Sequence, residues 1–382
     1  MIYYVPTKIH FGTNSLNELE NIVKGYKPKK TLLISGRNFF RESGLQKKVL
    51  TLLQDYNIVQ YNEVNSVPKT EDIDNALNYA REENPDLIIG IGGGSVLDTA
   101  KIISMTSKNS DKIMNYVGKN LDNKSLPFIA IPTTSGTGSE VTPFAVFYDN
   151  NIKQSFGSIH DYLAYPDHAI VDPELTITMS RELTASSGLD ALSQAFESYW
   201  SVNSNPLSDT HAIQSIKLIL KDIDHFYKNR DDKRARFNMS RASLEAGLAF
   251  SQTATTAPHA VSYPMTAHLN LSHGFACAIT LPEFLLYNYN LEEDCLDKRG
   301  KDFVKNRLEE LACYHLGFHS VDRLYKGIKG LMKDINAPLT LGEIGISDFD
   351  IIMEEGFTPK RMNNNPRLVT KESLKEILEK IR

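Results

Sequence analysis

From Asp86 to Ile91 the chain is an apolar run, DLIIGI, which passes through Gly92-Gly93-Gly94-Ser95 straight into an amphipathic stretch from Val96 to Ile103. A buried strand that turns through glycines into a helix aims the helix's unpaired N–H groups and positive dipole end at one point, which suits a pyrophosphate. The loop is not the G-x-G-x-x-G fingerprint and follows a later strand than the first, so it departs from the ordinary Rossmann pattern. The same residues also read as a glycine-rich turn closed by a Ser95/Asp98 capping box. A second polar run, IPTTSGTGSEVT from Ile131 to Thr142, follows the apolar Phe128 to Ile131. Its hydroxyls, on Thr133, Thr134, Thr137, Ser139 and Thr142, stand among glycines that let a ribose or a nicotinamide amide approach closely. Two such loops in one sheet both lie at its carboxyl edge, where open α/β sheets bind ligands. The candidate cofactor residues are therefore these five together with Gly92, Gly93, Gly94, Ser95 and Asp98.

The surrounding pattern supports such a sheet. Thr31 to Ser35, Tyr56 to Tyr61 and Phe144 to Tyr148 read as strands, and a helix is predicted from a cap at Thr70, where Glu71, Asp72 and Asp74 suit the N-terminal dipole. Alternation of short apolar runs with amphipathic stretches is the signature of βα units. After Asp172-Pro173-Glu174-Leu175 the texture changes to long segments of helical spacing, Ala185 to Trp200, Thr210 to Tyr227 and Ser240 to Phe250. A chain of 382 residues suits two domains meeting at a cleft. The expectation is an α/β dinucleotide-binding domain with a mostly parallel sheet over residues 1–175, and an all-α metal- and substrate-binding domain over 176–382.

A formal charge of −5 supplies no broad basic field of the kind that nucleic acid or an anionic membrane requires, so a small-molecule partner is expected. The three cysteines, Cys277, Cys295 and Cys313, form no C-x-x-C pair, which argues against a disulfide scaffold and against a thiolate zinc site. With no signal-peptide pattern and no apolar run of membrane-spanning length, the expected compartment is the cytoplasm.

Asp190 and Gln194 lie four apart in a helical segment and share one face. Further on, His259 and His273 flank a stretch containing Tyr and Pro. One carboxylate and two imidazoles make a divalent-metal set with an open position. A helix cap, a surface group or a satisfied core histidine is the other use of such residues.

Together these features resemble the iron-containing (group III) alcohol dehydrogenase family, with its dehydroquinate synthase-like architecture. The resemblance rests on GGGSVLDTAK (Gly92 to Lys101), IPTTSGTGSEVT (Ile131 to Thr142), DPEL (Asp172 to Leu175), GLDALSQAFESY (Gly188 to Tyr199) and PHAVSYPMTAHLNLSHG (Pro258 to Gly274). It implies a dinucleotide across the two N-terminal loops and a divalent ion, Fe²⁺ or Zn²⁺, on Asp190, His259 and His273. Gln194 stands where the family carries a fourth ligand, a histidine, and a neutral amide is a poorer donor. Tyr263 stands where many members carry a histidine near the reacting oxygen, so the proton relay passes to Tyr263, His268 or a metal-bound water. Lys153 matches a lysine used near the cofactor. The implied reaction is hydride transfer between the nicotinamide and a carbonyl carbon, with the metal as Lewis acid.

Gly36-Arg37 follows the first nucleotide-domain strand where NAD-preferring relatives carry an aspartate. Its loss favours NADPH over NADH, with Arg37 or Arg41 facing a 2′-phosphate. The stretches around Asp190, Pro258 and Thr358 to Arg367 resemble the branch that reduces phosphonoacetaldehyde to 2-hydroxyethylphosphonate. Lys360, Arg361 and Arg367 form a basic cluster fit either for an anionic head group or for a solvated tail. The expected partners are a small, anionic aldehyde or alcohol and a second copy in a homodimer. The competing readings are a general short-chain alcohol or diol dehydrogenase, a dehydroquinate synthase-like enzyme and a glycerol-1-phosphate dehydrogenase-like enzyme.

Overall fold

The computed structural model describes residues 3–117, 126–149, 156–160 and 164–382. They fall into two compact units that divide between Met179 and Ser180, with Tyr3 carried on the second. This is four residues beyond the change of texture. Asp172 explains the shift: its carboxylate accepts from the N–H groups of Asn14 (3.2 Å), Leu16 (3.3 Å) and Glu174 (3.1 Å), which ties the DPEL turn back to the sheet. Ser180 then caps the next helix by accepting from Leu183 N–H at 3.1 Å.

The first unit is built on six parallel strands: β1 (Lys8–Phe11), β2 (Thr31–Gly36), β3 (Ile58–Val64), β4 (Leu87–Gly92), β5 (Phe128–Pro132) and β8 (His168–Val171), in the order β1-β8-β5-β4-β2-β3. A separate antiparallel pair joins β6 (Phe144–Tyr148) to β7 (Phe156–His160). Strand periodicity sorts the apolar residues onto two faces. Leu33, Ile89, Ile91, Ile129 and Ile131 pack one way, with Leu16, Val23 and Val49, whereas Leu32, Ile34, Ile88, Phe128 and Ala130 pack the other way with Leu97, Ala100 and Ile103. Burial on both faces is what a parallel sheet covered by helices requires.

Two predicted caps are replaced. The helix Thr70–Glu83 is capped from Lys69, whose N–H donates to Asp72 at 2.9 Å, while the Thr70 hydroxyl goes to Asp149 at 2.7 Å. The helix Gly94–Thr106 starts from Gly93 with no side-chain cap, so the Ser95/Asp98 box does not form. Ser95 donates instead to the carbonyl of Ser66 (2.6 Å), and Asp98 accepts from the Ser139 hydroxyl (2.6 Å) and Val146 N–H (2.9 Å).

The second unit is helical. Its centre is the helix Arg181–Trp200, buried at every position from Thr184 onward. Leu189, Leu192, Phe196 and Trp200 meet Ile216, Ile223 and Phe226 of the helix Pro206–Lys228 and Met239 of the helix Lys233–Thr253. No helix among the described residues is long and apolar enough to cross a membrane.

The polar run after β5 is held by a lysine with no exposed surface. Lys101 Nζ donates to Phe144 O (2.5 Å), Ser139 O (2.9 Å) and Ser139 Oγ (3.0 Å). Desolvation lowers its pKa to about 8, and burial pushes neighbouring Glu140 up to about 7 against the pull of its backbone hydrogen bond and of Lys101. A carboxyl whose folded pKa is raised contributes stability that is complete below its unfolded value of about 4.3 and lost as pH rises through the folded one. Glu140→Gln keeps the shape and removes that loss. Relative to wild type it should therefore gain on the order of 2 kcal/mol between pH 4 and pH 7.5, read from urea unfolding at stepped pH. A difference that does not change with pH would contradict the assignment.

Candidate active site

Three strands of the first unit end side by side. Gly92 of β4 pairs with Pro132 of β5, and Ser35 of β2 pairs with Ile91, so the turns after Gly36, Gly92 and Pro132 leave one carboxyl edge. Thr133 N–H donates to Gly92 O at 2.9 Å, which locks the two glycine-bearing loops together. A Cβ on Gly94 would lie 2.5 Å from Thr137 Cγ2 and one on Gly93 would lie 3.4 Å from Thr134. The loops thus pack backbone against side chain, with the uncapped N-terminus of Gly94–Thr106 at their junction. An uncapped helix N-terminus of this kind suits an anion. Asp98, Ser139 and Thr142 spend their side chains bracing the loops around Lys101.

At the end of β2, Gly36, Arg37, Arg41, Gln46, Asn62 and Glu63 line a pocket of about 230 Å³. A Cβ on Gly36 would meet nothing closer than 3.7 Å, so the position has room for a ligand or a side chain. Arg37 pairs with Glu63 at 3.1 Å, but both are more than half exposed, and such pairs contribute little. Lys153 lies outside the described residues.

In the helical unit Asp190, His259, His273 and Cys277 bring one ligand atom each to within 4.8 Å of one another. Asp190 and Gln194 come from the central helix, His259 and Tyr263 from the helix Ala257–Leu269, and His273 and Cys277 from the helix His273–Ala278. Gly274 permits the approach of the last helix, because a Cβ there would stand 1.8 Å from Ser186 O. His259 Nε2 lies 3.3 Å from Asp190 Oδ1, and His273 Nε2 lies 3.9 Å from it. On its far side His259 Nδ1 is hydrogen-bonded to Glu197, which also accepts from Thr256 N–H (2.6 Å) and the Thr256 hydroxyl (3.0 Å). A carboxylate behind a histidine fixes its tautomer and raises its basicity, the arrangement usual behind metal-binding imidazoles.

Charged groups are crowded at this point, each held in its charged form by the others. Burial works to raise the Asp190 carboxyl, yet His259 and His273 hold it below the usual range. Burial works to lower His259, yet Cys277, Glu197 and Asp190 hold it well above its ordinary value. Asp190 Oδ1, Gln194 Oε1 and His273 Nδ1 are buried without a hydrogen-bond partner, and each such atom costs about 1–3 kcal/mol. A divalent cation can take the place of the imidazole protons and give the orphaned oxygens a partner, so these residues fit one.

Tyr263 is at the cluster: its ring lies 5.6 Å from that of His273, and the Arg361 guanidinium sits 4.8 Å over it while bonding the Thr255 hydroxyl. His268 is turned to Glu355, at 3.0 Å. Arg367 does not join Arg361. It is fixed by Asp294 (2.7 Å) and the carbonyl of Tyr287 (2.9 Å) and stacks on the Tyr287 ring, so it braces the fold, and of the two arginines in the expected basic cluster Arg361 is the one at the donor set. Two residues escaped the sequence reading. Glu197 follows Asp190 by seven, on the same helix face. Cys277 follows His273 by four, a spacing that shares a face only once the segment is known to be helical.

Glycine loops at a helix N-terminus in one unit and a carboxylate–imidazole donor set in the other are features that suit a metal-assisted nicotinamide oxidoreductase. The family described as "Iron-containing alcohol dehydrogenase" matches residues 6–173, and "Fe-containing alcohol dehydrogenase family, C-terminal" matches residues 184–382. NADPH-dependent butanol dehydrogenase of Clostridium saccharobutylicum is 33% identical over 99% of this chain and 97% of its own length. Sulfoacetaldehyde reductase of Bilophila wadsworthia (strain 3_1_6) is 31% identical over 99% of this chain and 98% of its own. The crystal structure of sulfoacetaldehyde reductase from Bifidobacterium kashiwanohense in complex with NAD+ superposes with a TM-score of 0.89 at 29% identity, covering 100% of this chain and 98% of that one. The chain belongs to the iron-containing alcohol dehydrogenase family. It is an alcohol dehydrogenase or aldehyde reductase that uses NAD(P) and a divalent metal.

Glu197→Gln should lower metal affinity about 10–100-fold, the usual effect of losing a carboxylate behind a ligating histidine. Chelator competition measures it, with circular dichroism to confirm the fold, and unchanged affinity would contradict the arrangement.

Proposed function

We propose that the enzyme reduces a small aldehyde carrying an anionic head group, phosphonoacetaldehyde to 2-hydroxyethylphosphonate, with NADPH as reductant. The observation that carries this reading is Arg361: its guanidinium lies over the Tyr263 ring, one ring away from His273. A fixed cation beside the donor cluster suits a phosphonate or sulfonate two bonds from the reacting carbonyl, and guanidinium binds such oxyanions through two parallel hydrogen bonds. Two of the related proteins are named as reductases of sulfoacetaldehyde, an aldehyde with such a head.

When bound, the divalent ion polarises the carbonyl and the nicotinamide supplies the hydride. Asp190, His259 and His273 hold the ion, with Gln194 as the weaker neighbour. Tyr263 delivers the proton, because it stands at the cluster whereas His268 is committed to Glu355. The preference for NADPH rests on the pocket at Gly36, where Arg37 and Arg41 outnumber the one carboxylate, Glu63. The three free thiols fit the cytoplasm as the compartment.

The test is a rate screen of metal-loaded enzyme with NADPH and NADH against phosphonoacetaldehyde, sulfoacetaldehyde and butanal. Arg361→Ala should raise KM for both anionic aldehydes about tenfold, the equivalent of one lost charge-assisted contact, and leave butanal unchanged. A wild type that prefers butanal, or a variant that loses all three substrates equally, would overturn the anionic reading.

A further inference from the structure

Two imidazoles and one carboxylate leave room for a fourth protein donor, with the carbonyl entering as a fifth ligand, and Cys277 stands beside them. Its side chain is fully buried, on the turn of helix that carries His273. Its Sγ is 3.7 Å from His273 Nε2. A tetrahedral zinc site with metal–nitrogen bonds of about 2.0–2.1 Å and metal–sulfur bonds of about 2.3 Å has edges of roughly 3.3–3.7 Å. The measured edges are 3.3 Å between Asp190 and His259, 3.7 Å between His273 and Cys277, and 3.9 Å between Asp190 and His273. The first two fall in that range, the third lies just above it, and all four ligand atoms lie within 4.8 Å of one another, close enough for one ion to draw them together. A buried cysteine ordinarily packs as a small apolar side chain. Here its neighbours are the imidazoles of His259 and His273 and the carboxylate of Asp190.

We propose that Cys277 is a metal ligand, its thiolate taking the place that the neutral Gln194 amide fills poorly, so that the ion is held by Asp190, His259, His273 and Cys277. This rests on the metal site put forward above and changes its character. Asp190 and Cys277 contribute two negative charges and the imidazoles none, which balances a divalent ion. A soft thiolate also selects zinc or cobalt over ferrous iron. Gln194 then acts beside the site, and its loss should weaken the metal less than the loss of Cys277.

Cobalt reports the bond directly, because a thiolate ligand gives Co²⁺ a near-ultraviolet charge-transfer band that oxygen and nitrogen donors do not. The protein is prepared as Cys313→Ser, which removes an exposed thiol, and titrated with Co²⁺. The expected result is a charge-transfer band that saturates with the visible cobalt bands, is abolished by Cys277→Ser and persists in Gln194→Ala. Cobalt affinity should fall at least about tenfold in Cys277→Ser. As a second measurement needing no Cys277 variant, X-ray absorption at the zinc edge of the zinc-loaded protein should show one sulfur neighbour at about 2.3 Å, and a shell of nitrogen and oxygen alone would count against the thiolate. Visible cobalt bands without charge transfer, or charge transfer unchanged by Cys277→Ser, would overturn the thiolate ligand while leaving the metal site standing. Failure to bind cobalt or zinc at all would overturn both.

Discussion

A carboxylate at the middle of a helix that is buried on every side cannot be solvated, and Asp190 is in that position. Glu197, two turns on along the same helix, is buried as completely. Such acids persist only where hydrogen bonds and positive charge compensate them. Glu197 finds Thr256 and the outer nitrogen of His259. Asp190 finds the inner nitrogen of His259 at an ionic distance, yet keeps an oxygen without a hydrogen bond. The packing of the helical unit follows from this need. The turn at Thr255–Thr256, the helix carrying His259 and the close approach allowed by Gly274 all serve to bring partners to one buried acidic stripe.

The α/β unit meets the complementary need, for a place where negative charge is welcome. The uncapped start of the helix Gly94–Thr106 supplies it, and a buried lysine fixes the neighbouring loop. Lys101 lies inside the GGGSVLDTAK run, so one short segment supplies both the helix N-terminus and the brace for the loop beside it. The two candidate sites are opposed in kind: one offers N–H donors, the other lone pairs.

Much of this was legible in the sequence, for reasons that can be stated. β2, β4 and β5 are short apolar runs bounded by glycine or proline, and strand length and burial leave little freedom there. Asp190, His259 and His273 were legible as chemistry through the family resemblance rather than through their spacing. The failures share one cause: a side chain's partner lies far away in sequence. Thr70 bonds Asp149 and Ser95 bonds the Ser66 carbonyl, so neither acts as a local cap. Arg367 pairs with Asp294, which no local pattern announces. Cys277 belongs to no C-x-x-C pair, so its spacing carries no metal signature, and its companions are histidines and an aspartate from three helices.

If the Asp190, His259 and His273 cluster holds the ion, carbonyl chemistry in this enzyme depends on that one cation. The most direct measurement is turnover of aldehyde by exhaustively chelated protein as zinc is added back, with bound metal counted alongside. The account predicts negligible turnover at the start and a linear rise that ends at one ion per chain. Full turnover in metal-free protein, or a rise that continues well past one ion, would contradict it.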